Sequence, residues 1–329
     1  DGLRDFLFSM RSGEHATTVE GKVAAGRLTG FIATGGEKTP IDLPFPTDQI
    51  MTNAPGLGGV SMPSLEIGDE VLVDAFDPMT MSAGTARVLC LREETITVMG
   101  VEKRAKVLST NLSGITSTAW VDANGEVLRA ETPLGIVLQR MTQAEAQRLA
   151  MTDLGASDGL LKLASVPADG LTPRRGISRM RISVRGLDET ADLPSDESQQ
   201  VVDENELLIE PQGPDATAVT LESATLKDAL ANDIFLQLDN PRIVEAASRI
   251  VGNESDNWKK SQLIYEWVHA SVKKAMVPSL PTALDVLTTL EGDCNEHTML
   301  YTALARASGV PTRMAIGLVW SEEFDAFYY

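Results

Sequence analysis

The chain is short of the residues that most often carry chemistry. It holds two cysteines and three histidines in 329 residues. They are scattered, with no Cys-x-x-Cys pair or other ligand spacing, so neither a metal site nor a cofactor is expected. Cys90 and Cys294 fall in different expected domains, so no disulfide is expected between them. Thin cysteine usage is compatible with a reducing cytoplasm and with a bacterial periplasm. Aromatic residues make up only 5% of the chain, and no apolar run approaches the length of a membrane span. No integral membrane segment is therefore expected. Positive charge is scarce as well: 28 Lys and Arg against 47 Asp and Glu give a net charge of −19. That balance argues against nucleic acid or an anionic membrane surface as a partner. The first residues, Asp1-Gly2-Leu3-Arg4, lack an initiator methionine and a signal-peptide pattern. A processed chain or a fragment is expected from this.

What is present is enough apolar material for real cores, 43% of residues, over a length that fits two or three domains. Residues 1–150 are expected to be an antiparallel β domain, one curved sheet or a half-barrel. Strand-like runs recur at Thr17–Val23, Glu70–Phe76, Ala86–Leu91 and Glu94–Met99. Thr116–Val121 meets Glu126–Glu131 across Asp122-Ala123-Asn124-Gly125, and Asn-Gly between two such runs is a strong hairpin signal. Cys90 lies in an alternating strand and reads as core. Thr142 with Glu145 three positions on opens a short capped helix that closes this part. Residues 151–225 read as a second β-rich segment with an acidic loop. Its strands are expected at 160–164, 178–184, 206–210 and 218–221. Arg174, Arg175, Arg179, Arg181 and Arg185 form the main basic patch, which pairs in the simplest reading with the acidic stretch after it.

From about residue 226 the pattern turns helical. Asn240-Pro241 opens one helix, with proline in the favoured first position, and Gly252 ends it. Asp256 or Asn257 caps a second, and Thr282 starts a third short one. The fourth begins at Cys294. Asp293 and Glu296 form a capping box, and Met299, Leu300, Ala303, Leu304 and Ala307 recur at helical spacing. Gly309 and Pro311 end it. A sulfur in the first turn faces unpaired backbone N–H groups and the positive end of the helix dipole, which favour thiolate. The carboxylates of Asp293 and Glu296 oppose this. Thr312–Trp320 is apolar and β-branched and reads as a buried strand.

Gly292-Asp293-Cys294-Asn295-Glu296-His297, the run Leu300–Arg313, and the lead-in segments Ile264–His269 and Pro281–Leu287 together resemble the core of the transglutaminase-like superfamily over roughly residues 235–329. The resemblance implies an α+β fold of papain-like type and a Cys-His-Asp triad. In such a triad the thiol attacks an amide carbonyl, the histidine moves the proton and the aspartate orients the imidazole. Only the nucleophile carries over, onto Cys294. The family places its histidine just after an aromatic stretch, which Phe327-Tyr328-Tyr329 resembles, and its aspartate later still. The domain of residues 226–329 is therefore expected to be a truncated one, completed by a C-terminal fragment of the same protein.

His297, one turn after Cys294, reads as a packing or hydrogen-bonding residue beneath the site. His269 reads as core or helix-end packing, and His15 has no assigned role. The implied activity is thiol acyl transfer on a protein or peptide substrate, most simply as a peptidase or amide hydrolase in an extracytoplasmic, bacterial setting. The alternative is a non-catalytic extracytoplasmic scaffold built on a degenerate domain of the same type.

Overall fold

The structure is a computed structural model. It describes residues 3–12, 15–34, 36–45, 50–51, 65–77, 81–112, 115–132, 137–150, 165–169, 177–186, 193–196, 198–210, 222–275, 282–321 and 326–328. The strands expected at 160–164 and 218–221, and residues Arg174, Arg175 and Tyr329, lie outside these. The fold is α+β, with several antiparallel sheets and a helical region. It divides into two compact units, Asp1–Ala164 with Lys227–Ala315, and Ser165–Leu226 with Ile316–Tyr329.

In the first unit, β1 (Asp5–Ser12), β2 (His15–Ala24), β3 (Arg27–Thr34) and β4 (Glu37–Pro44) form a four-stranded antiparallel meander. A second sheet has seven strands. It runs from β5 (Ile50–Met51) through β6 (Glu70–Asp77), β7 (Ser82–Val98), β8 (Val101–Leu112), β9 (Ile115–Val121) and β10 (Val127–Glu131) to β11 (Val137–Gln139). The strands thus fall into two sheets, where their spacing pointed to one curved sheet or a half-barrel. Phe76 of β6 packs with Phe6, Val19, Leu28, Ile32, Ile41 and Phe45 of the first sheet's segment. Its ring lies 5.5 Å from that of Phe6 and 5.0 Å from that of Phe45.

The Asn-Gly hairpin is present. The Asp122 carboxylate accepts the Asn124 and Glu126 N–H groups, and Gly125 takes φ +78°, the left-handed value this turn requires. The two runs expected at 86–91 and 94–99 are one 17-residue strand, β7, with a register shift between Cys90 and Arg92. A bulge absorbs the extra residue, so the charged Arg92-Glu93-Glu94 does not end the strand. Cys90 is fully buried in the core of this sheet.

Helix α1 (Gln143–Ala150) carries the expected Thr142/Glu145 capping box. After α2 (Ser223–Ala229) come α3 (Pro241–Val251), α4 (Asn257–Ser271), α5 (Ala283–Thr289) and α6 (Cys294–Ala307). Asn240, Asp256 and Thr282 cap α3, α4 and α5 through their side chains. Ile243, Ala246 and Ala247 of α3, Ile264 and Val268 of α4, and Ala283 and Val286 of α5 close around Leu300, Ala303 and Leu304 of α6. This helical core is bonded to the first sheet. Gln237 Nε2 donates to Thr39 Oγ1 at 2.7 Å, and Asn240 Nδ2 to Glu37 at 2.8 Å.

In the second unit, β13 (Met180–Ser183), β14 (Gln199–Asp203) and β15 (Glu206–Ile209) form one small antiparallel sheet, with β15 in the middle. β12 (Ser165–Val166), β18 (Val319–Ser321) and β19 (Ala326–Tyr328) form another, with β19 in the middle. Arg179, Arg181 and Arg185 pair with Glu210, Glu206 and Asp169, so only Arg181 finds its acid in the stretch expected to pair with the patch, and Asp169 precedes it. The buried strand expected at 312–320 is not there. Residues 311–318 have no regular structure, Ile316 is 97% exposed, and only Val319–Ser321 joins a strand. Apolar, β-branched composition makes a strand only where a neighbour offers N–H and C=O groups. The Thr312 N–H donates to the Ala229 carbonyl, but among the described residues no strand pairs with 312–318.

Candidate active site

The site is built at the start of α6. Just before it, β16 (Lys273–Lys274) and β17 (Glu291–Gly292) pair in parallel. Lys273 N–H donates to the Leu290 carbonyl at 2.8 Å, and Ala275 N–H to that of Gly292 at 3.0 Å. These bonds fix the backbone that delivers the chain into the helix. Gly292 is required by close approach: a Cβ there would come within 2.2 Å of Glu296 Cγ.

The capping box follows. The Asp293 carboxylate accepts the Asn295 N–H at 3.0 Å, and Glu296 Oε2 accepts the Asp293 N–H at 2.8 Å. Glu296 is only 1% exposed, which its charged side chain gave no reason to expect. Burial, with the Glu296 carboxyl close by, pushes Asp293 up to about 6 against the Asn295 N–H bond that holds it down.

Cys294 is the first helical residue and is exposed. Its thiol is nevertheless raised above the ordinary value. Partial burial of the sulfur is the main cause and the Asp293 carboxylate the next, while the backbone N–H groups of Cys294 and Asn295 pull it back only in part. The helix start therefore does not win: its N–H groups face the sulfur, but partial burial of the sulfur, and after it the capping carboxylate, outweigh them.

His297 Nδ1 lies 2.6 Å from the Asp293 carbonyl oxygen, which also accepts the His297 backbone N–H at 3.1 Å. A carbonyl can only accept, so Nδ1 carries the proton. Nε2 is buried and has no hydrogen-bond partner among the described residues. Neither nitrogen is thus hydrogen-bonded to Sγ. His269 is exposed in the last turn of α4 and stacks on Tyr265, with ring centroids 5.9 Å apart; it is not core. His15 opens β2 in the first sheet. Among the described residues no group of three or more His, Cys, Asp or Glu is placed to hold a metal ion, and no helix is long and apolar enough to cross a membrane.

Beyond Ala307, Gly309 takes φ +78° and the Val310 N–H returns to the Ala305 carbonyl. The Arg306 guanidinium then ties down the exit, donating to the carbonyls of Thr312 and Ala231. A cysteine at the capped start of a buried helix, followed by this turn, is the layout on which the comparison with known families bears. Residues 244–329 match the family model of the transglutaminase-like superfamily. No curated protein and no solved structure matches the chain. The transglutaminase-like segment takes in α4, α5 and α6 whole, and with them the capping box, Cys294 and His297. The sequence had pointed to the cap and the thiol. It had not pointed to the β16–β17 pairing or to the buried Glu296; the glycine directly ahead of the cap was the one available sign of that crowding.

Proposed function

We propose that the transglutaminase-like segment is a thiol acyl-transfer core with Cys294 as its nucleophile, acting on protein or peptide amides, most simply as a hydrolase. The observation that carries the reading is the placement of Cys294. Its thiol stands exposed at the first residue of α6, with the Cys294 and Asn295 N–H groups toward the sulfur, inside the family-matched segment. A thiolate there adds to a carbonyl carbon, and the developing oxyanion is held by the Cys294 N–H. Collapse of that intermediate expels the amine and leaves an acyl-thioester, and water attacking the thioester releases the acid. The raised thiol means that a base has to be brought to Sγ. On this reading the base is the triad histidine that the family resemblance implies, and none of His15, His269 and His297 fills the role. An extracytoplasmic location goes with the reading.

The test is release of p-nitrophenolate from p-nitrophenyl acetate by the protein and by Cys294→Ala. The protein is expected to release it well above the variant, with the two melting within a few degrees of each other, because Cys294 is an exposed residue outside the helical core. Equal release by both would overturn the nucleophile assignment and leave the scaffold alternative.

A further inference from the structure

The Asp293–Cys294 peptide has an unusual set of partners. Its carbonyl oxygen accepts two hydrogen bonds from one residue, the backbone N–H of His297 at 3.1 Å and the ring Nδ1 at 2.6 Å. The first is the ordinary helical bond. The second is extra, and it is the shorter. Its cost is visible in the same ring, because Nε2 is buried with no partner among the described residues. Leaving a buried nitrogen unpartnered is costly, so the ring is held where it is by what Nδ1 does.

The N–H of this same peptide belongs to Cys294. Hydrogen bonds along one amide polarise each other: drawing electron density onto the carbonyl oxygen makes the N–H at the other end a better donor. The bonds to Asp293 O also fix the plane of the amide, and so the direction in which that N–H points.

We propose that His297 is a positioning residue for acyl transfer: through Nδ1 it orients and polarises the Asp293–Cys294 peptide, and so strengthens the Cys294 N–H as the oxyanion donor. It touches neither substrate nor sulfur. The inference rests on the reading of Cys294 as the nucleophile. The step it assists is addition of the Cys294 thiolate to a carbonyl, with the thiol proton lost to the buffer base. The oxyanion forms opposite the N–H, and collapse to the thioester expels the leaving group.

The test compares two reactions of one thiol. Acetylation by p-nitrophenyl acetate passes through an oxyanion, whereas alkylation by iodoacetamide is a displacement at carbon and passes through none. In His297→Leu the acetylation rate is expected to fall about tenfold, part of the roughly hundredfold or more that loss of a whole oxyanion donor costs. The alkylation rate at the same pH should stay within about twofold, since the thiol's own surroundings keep their N–H groups and carboxylates. His297→Asn presents an amide N–H near the position of Nδ1 and should restore acetylation to within about threefold. A third readout needs no reaction. The amide ¹⁵N resonance of Cys294 should move upfield in His297→Leu, because a hydrogen bond to a peptide carbonyl deshields the nitrogen of that peptide, and it should return in His297→Asn.

The proposal is overturned if acetylation and alkylation fall together, if neither falls, if asparagine fails to rescue, or if the ¹⁵N resonance stays put. Failure of the nucleophile reading looks different: p-nitrophenolate release would then be the same in Cys294→Ala as in the protein. If His297→Leu does not fold, the asparagine variant decides by itself, and loss of acetylation there with a native melting curve overturns the proposal.

Discussion

Asp293 acts on Cys294 in two opposing ways. Its carboxylate caps α6 and so builds the place where the thiol sits. The same carboxylate stands beside the sulfur and pushes the thiol up. Asparagine caps a helix about as well as aspartate and carries no charge. Asp293→Asn is therefore expected to keep the melting temperature near that of the protein at neutral pH and to lower the thiol's ionisation. At pH 7 that means alkylation by iodoacetamide about two- to fivefold faster. An unchanged or slower rate would mean that burial of the sulfur accounts for the whole shift. The variant also bears on stability. Asp293 rises from 3.8 to about 6 on folding, so the folded state holds its proton more tightly than the unfolded chain does. The stabilisation this gives is fully present below about pH 4 and is lost as the pH climbs through 6. Asp293→Asn should flatten that part of the stability profile, measured by urea unfolding at pH 4 and pH 7; an identical slope in both proteins would contradict the raised value. The Asp293/Glu296 pairing was legible in the sequence, because a capping box has a fixed spacing. The burial of Glu296 was not, because it depends on Gly292 and on the pairing of β17 with β16 upstream.

At the level of elements, α6 carries the account. Leu300, Ala303 and Leu304 of α6 are fully buried at the centre of the helical core. Leu300→Ala should cost about 2–5 kcal/mol, the usual range for emptying a closed leucine site. Ile316→Ser, at a side chain 97% exposed, should stay within about 0.5 kcal/mol. Denaturant unfolding of the two variants checks this contrast, and a comparable loss at Ile316 would mean that residues 312–318 are covered after all. Caps, prolines and glycines made the helices legible, since each acts locally: Asn240-Pro241, Asp256, Thr282 and Asp293 all stand where they were expected. Strands were less legible because a strand is defined by its partner. Thr312–Trp320 has a strand's composition but, among the described residues, no strand partner along most of its length, and β7 runs through a charged triplet because β8 pairs with it on both sides of the bulge.

The whole molecule depends on joins that no local pattern announces. Gln237, 3% exposed, donates to Thr39 of β4 and accepts the Leu284 N–H at 3.2 Å, joining the first sheet to the cap of α5 some two hundred residues later. Gln237→Ala leaves both partners unsatisfied and should cost about 1–3 kcal/mol. Thermal unfolding followed at far-UV wavelengths should show the loss, and a change under about 0.5 kcal/mol would mean that water takes the amide's place without cost. Most of the first sheet went unread for the same reason: β1, β3 and β4 gain their buried faces from Phe76 and from each other, not from any run of their own. The proposed chemistry requires Cys294 to be the thiol that takes an acyl group. The chain offers an internal control, since Cys90 is fully buried and its burial pushes that thiol up. The direct measurement is mass mapping of the protein after brief treatment with p-nitrophenyl acetate under native conditions. The acetyl group should be found on the peptide that carries Cys294, with Cys90 unmodified. An unmodified Cys294, in a protein whose thiols both acetylate once it is unfolded, would contradict the account.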